Sequence, residues 1–159
     1  MRIELDFDGQ QSVINALSGL LFDAPKFNEF ANDVGSEMVY QTQQNFENQS
    51  SPDGVPWQKS LRAIVQSGET LRDTGRLLNS ITFNPMPDGV EWGTNVVYAP
   101  YLHYGAHIKA KNAEFLRFKT AYGWVQKKEV FVVARPFMGF TEANQQYVIN
   151  TLNRILSND

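Results

Sequence analysis

Apolar residues recur along this chain with two different periods. Between residues 10 and 23, Val13, Leu17, Leu20 and Leu21 fall at steps of four, three and one, which is the stripe of an amphipathic helix. Pro25 interrupts that run, because proline suits a helix start and breaks a helix interior. A second helix is predicted beyond it, with Phe27, Phe30, Ala31, Val34 and Met38 on one face, continuing through Thr42 to Phe46. Such a stripe is core; the opposite face is rich in Asn, Gln and Glu. Near the other end, Val148, Leu152, Ile155 and Leu156 repeat the pattern as a closing helix. Thr141 is placed to cap it, and Glu142 puts a negative charge where the helix dipole favours one.

Between these helices the period shortens. Residues 47–70 read as loop: Asn48 to Gly54 is a run of turn formers in which Pro52-Asp53-Gly54 fits a tight turn. Trp57 then anchors the loop to the core. Asp73 to Ser80 reads as a capped helical turn, with Asp73 or Thr74 as N-cap. Ser80–Phe83 and Val90–Gly93 are β-prone on either side of a proline-rich turn over Asn84–Gly89, which predicts a hairpin or a short meander. Tyr98 to Tyr104 suggests a helical turn ended by Gly105. Leu116, Phe118 and Thr120 alternate with Arg117 and Lys119, Tyr122-Gly123 turns the chain, and Trp124–Val133 returns as a strand. That makes a long basic hairpin whose aromatic residues are expected on its packed face. Residues 106–113 hold little apolar side chain except Ile108 and are expected to be mobile in the isolated subunit. The fold class is therefore α+β: two N-terminal helices, an antiparallel sheet with the basic hairpin, and a C-terminal helix, in one domain over 1–159.

Composition narrows the class. The chain has 159 residues, 42 % hydrophobic and 13 % aromatic, which excludes intrinsic disorder. Its longest apolar run, Val130–Ala134, is far below the ~20 residues of a membrane span. The acidic opening Met1–Asp8 lacks the apolar stretch of a secretion signal, and no cysteine is present. The expectation is a soluble protein made in the cytoplasm. Its net charge of −3 is unevenly spread. Residues 1–53 carry two basic groups against nine acidic ones, while 105–128 carry six basic groups against Glu114 alone. Charge of opposite sign on two parts of one chain suits either solvated faces or copies that meet each other.

Candidate chemistry is sparse. His103 and His107 are four apart, yet Gly105 between them argues against a continuous helix, and no third histidine completes a metal site. His103 is expected to be partly buried and bonded to backbone. No nucleophile elbow, phosphate loop or zinc-protease motif occurs, and Asp6 with Asp8 sits in an acidic terminus. No catalytic, metal or cofactor residues are expected. Lysines interleaved with Phe115, Tyr122 and Trp124 leave nucleic-acid binding by hairpin 105–128 as an alternative.

Five motifs occur in order: Pro52-Asp53-Gly54-x-Pro56-Trp57; Asp73-Thr74-Gly75-Arg76-Leu77 with Ser80-Ile81; Gly93-Thr94-Asn95 with Tyr98-Ala99; His103 with Gly105; and Ala134-Arg135-Pro136-Phe137-Met138-Gly139. Together they resemble the phage virion morphogenesis (tail-completion) family of Mu-like phages and prophages, and the related head–tail neck proteins. The resemblance implies a structural virion protein at the head-proximal end of the tail, made in the host cytoplasm. It would form a hexameric homo-oligomeric ring, stop tail growth, and meet tail-tube and head-connector proteins while DNA passes through. Combined with the charge asymmetry, it suggests a contact in which Lys109, Lys111, Lys119, Lys127 and Lys128 of one copy face Glu29, Asp33 and Glu37 of the next.

Overall fold

The computed structural model describes residues 24–157. The helix predicted over 10–23 and the acidic opening lie outside the described residues. Helix α1, Ala24–Glu47, buries Phe27, Phe30, Ala31, Val34, Met38, Thr42 and Phe46 along the predicted stripe. Gly35 joins them for a steric reason. A Cβ there would sit 2.2 Å from the Phe83 ring, so only glycine lets the β-hairpin press onto the helix.

The loop after α1 is tied down by polar groups, as its composition suggests, and it holds a helix that its pattern does not announce. Helix α2, Leu61–Val65, starts at Ser60, whose hydroxyl accepts from the Ala63 N–H at 3.2 Å. Leu61 and Ile64 on it are exposed, so no amphipathic stripe exists to signal it. Arg62 holds the loop instead, donating to the carbonyls of Glu69 and Arg72.

Helix α3, Arg76–Asn79, corrects the capping expectation. Gly75 is the N-cap, in the left-handed region at φ +78°, and no side chain caps the turn there. Thr74 stands one residue too early. Its hydroxyl reaches only the Arg76 N–H, at 3.4 Å, and Asp73 pairs with Arg62 at 3.6 Å. Strands β1 (Thr82–Met86) and β2 (Gly89–Gly93) form the expected antiparallel hairpin, in register from Thr82 opposite Gly93 to Met86 opposite Gly89. Strand β1 runs further than expected, through Pro85. A two-stranded ribbon has free edges, where a missing N–H disturbs no second ladder.

Helix α4, Ala99–Tyr104, ends at Gly105 as predicted. Strand β3, Ala106–Lys109, follows at once and pairs antiparallel with β6, Glu129–Val132. Low burial alone predicts mobility for 106–113, yet its first four residues are a strand. Backbone hydrogen bonding to a distant segment, which composition does not report, holds them. Between them, β4 (Leu116–Thr120) and β5 (Gly123–Lys127) make a second ribbon, with Phe118 opposite Val125. Among the described residues the strands thus form three two-stranded ribbons, and the basic hairpin is built in two tiers.

Helix α5, Glu142–Ser157, closes the chain. Thr141 accepts from the Asn144 N–H at 3.3 Å while Asn144 Oδ1 accepts from the Thr141 N–H at 2.9 Å, a reciprocal cap. Val148, Leu152 and Ile155 pack with α1 and with Trp92, Val96, Phe137 and Met138 in one core. Helix α1 lies against α5 on one side and the β1–β2 hairpin on the other.

Candidate functional site

Residues of the quoted motifs that lie far apart in sequence meet in one node. Phe46 packs edge-on against Trp57, with ring centroids 5.5 Å apart, and against Phe137 at 5.4 Å. The Trp57 indole N–H donates to the Pro136 carbonyl at 2.8 Å. A Cβ on Gly139 would come within 2.8 Å of the Pro52 ring, so the first motif is seated directly on the last. Arg135 is buried, and it spends its guanidinium on carbonyls: Nε donates to Gln58 at 2.8 Å and an Nη to Val133 at 3.2 Å. Ser80 and Thr94 share a hydrogen bond of 2.6 Å, joining the second motif to the third. Leu77 and Ala99 are buried beneath them, while Asp53, Thr74, Arg76 and Tyr98 remain exposed.

The two histidines part company. His103 is buried edge-on to Phe137 at 5.0 Å, and its Nδ1 accepts from the Phe137 N–H at 3.4 Å. Burial pushes its pKa below the ordinary imidazole value, because the charged form would lose its hydration. His107 is exposed on β3, stacked on Phe131 at 4.0 Å and bonded to Glu129 at 2.8 Å. They lie on different elements, and among the described residues no group of three His, Asp or Glu side chains could hold a metal. An open groove of about 540 Å³ beside Ser80, Phe83 and Thr94 has Glu91 as its one ionisable lining residue. A lone carboxylate does not make a general acid–base pair.

The basic arm, Ala106–Val132, carries the surface chemistry. Strand alternation puts Arg117 and Lys119 on one face of the outer ribbon, with Gln126 and Trp124 opposite them. The Arg117 guanidinium lies 5.2 Å from the centre of the Trp124 ring. The other face carries Leu116, Phe118 and Val125, half-buried, with Lys127. The five lysines therefore do not form one patch. Lys109 is on the inner ribbon, 3.9 Å from Glu129; Lys111 is in the bend between tiers; Lys128 joins β5 to β6. The aromatics also depart from expectation. Trp124 is 65 % exposed, Tyr122 75 % and Phe131 68 %, because neither ribbon has a substantial packing partner among the described elements.

On α1, the three candidate acids form a stripe with Tyr40, at steps of four, four and three. Arg154 of α5 already clamps two of them, donating to Glu29 at 2.9 Å and to Asp33. Glu37 accepts from Gln41 at 2.7 Å, and Tyr40 is 54 % exposed. Arg154 escapes sequence reasoning because partners 121 residues apart leave no local signal, and Tyr40 because a single tyrosine on a polar helix face gives none.

The model of the phage virion morphogenesis family matches residues 8–157. No curated protein and no solved structure matches the chain.

Proposed function

The chain belongs to the phage virion morphogenesis family, and on that premise we propose that it completes or terminates the tail and joins it to the head. Its role lies in virion structure or assembly. In the proposal it acts as a homo-oligomeric ring in the neck, touching tail-tube and head-connector proteins, with DNA passing through. One observation carries this reading: the family match spans nearly the whole chain. The fold agrees with it, since the buried motif residues Trp57, Leu77, Ala99, His103, Arg135 and Phe137 are used in packing and backbone hydrogen bonds, where a virion component needs rigidity. The test is electron microscopy of particles made without this protein. Separate full heads beside unjoined or overlong tails are expected, and normally joined particles would refute the reading.

The exposed Trp124, with Arg117 and Lys119 beside it, supports a second reading as a nucleic-acid-binding module. That reading requires a DNA mobility shift that weakens steeply with salt.

A further inference from the structure

We propose that the outer ribbon of the basic arm docks, by its Trp124 face, onto the α1 stripe of a second copy of this chain. The inference rests on the ring reading and supplies its contact. Two observations motivate it. Isolated two-stranded ribbons are only marginally stable in water, and no other described element packs substantially against β4–β5. The arm also leaves a large aromatic exposed next to two cations, and tryptophan and arginine are both residue types enriched among the hot spots at the centre of protein interfaces.

The occupant follows from complementarity. Arg154 pairs with Glu29 and Asp33, and Lys26 lies on the same face one turn before Glu29, so the stripe's three carboxylates leave one negative charge in excess. Arg117 and Lys119 bring two positive ones. Tyr40, on the same face of α1, offers an exposed ring to Trp124. A contact between two different surfaces of one chain is heterologous, and it closes into a ring when its rotation closes. Lys127 and the half-buried Leu116 and Phe118 point the other way and take no part.

A photo-crosslinking residue at position 126, on the same face of the ribbon as Trp124, in assembled particles containing isotopically distinct copies, tests the contact directly. An adduct to residues 29–40 of another copy is the expected result. Adducts to DNA, to another virion protein or to the same copy's α1 would overturn the proposal, as would no adduct. Charge exchange gives a second readout. Chains with both R117E and K119E, or with E37K alone, should each cut ring formation at least tenfold, and coexpression should restore it. Lys127→Glu, on the opposite face, should leave assembly unchanged. If particles made without the protein are still joined, the neck reading itself fails. If joining is lost but the adduct maps elsewhere, only this inference fails.

Discussion

Two regions of this molecule draw on the same residue types and do opposite things with them. The node around Trp57, His103, Arg135 and Phe137 buries an indole, an imidazole, a guanidinium and a phenyl ring. The arm around Trp124, His107, Arg117 and Phe131 leaves the same four groups in solvent. In the node each polar atom named above has a backbone partner, so burial costs little and the rings fix the geometry. In the arm the polar partners are other side chains, and the rings stack on charged or titratable neighbours. Residue type alone does not sort the buried node from the exposed arm; the source of the hydrogen bonds does.

The comparison breaks hardest at Phe137, which is fully buried between Phe46 and His103. Phe137→Ala should cost about 3–5 kcal/mol through the cavity left behind. Chemical denaturation checks it, and a loss below ~1 kcal/mol would mean the node does not support the fold. Gly105, where node meets arm, comes next. It sits at φ 76°, ψ 169°, a region almost reserved for glycine, and a Cβ would lie 2.8 Å from the Val132 carbonyl oxygen. Gly105→Ala should cost roughly 1–3 kcal/mol and speed amide exchange over 106–109 and 129–132. Unchanged exchange there would show that the glycine is not what lets β3 start.

A smaller effect, on pH dependence, belongs to the buried histidine. Burial holds the His103 pKa below its ordinary value of 6.5, so the unfolded chain takes up a proton at higher pH than the native one. Its contribution to stability is present above about pH 6.5 and lost as pH falls through the folded pKa. The melting temperature should fall between pH 7 and 5, and His103→Gln should flatten that slope. An unaltered slope would place the sensitivity elsewhere.

Much of the node was legible in advance, because helices α1 and α5 and the turn at Gly105 follow from spacing and glycine chemistry. The family motifs pointed at the right residues without saying that they interlock. What escaped has physical causes. Helix α2 hides because its apolar side chains face out, and strand β3 hides because only its ladder with β6 holds it. Local chemistry assigns the cap to Asp73 or Thr74 because such side chains usually cap, whereas a left-handed Gly75 is the N-cap that turns the chain. The arm's charge was visible, but its division into faces was not. Alternation assigns faces only once register is known, and register places Lys119 with Trp124 and Lys127 with Leu116.

The smallest expected effect on stability is the one that decides what the arm is for. Trp124 is mostly exposed, and among the described residues its ring lies against the exposed Arg117. Surface substitutions without buried partners usually stay within about 0.5 kcal/mol, so Trp124→Ala should leave the isolated subunit's stability nearly unchanged. The core aromatics cannot behave this way, since Phe137 touches other rings on two sides. If the arm is a contact surface, the same Trp124→Ala chain should nevertheless assemble poorly, because anchors of this kind carry a large share of interface energy. The pair of measurements is a denaturant melt of the subunit and a count of joined particles. Stability retained with assembly lost identifies a docking surface. Stability lost along with assembly would make Trp124 a structural residue like Phe137, and the contrast between node and arm would collapse.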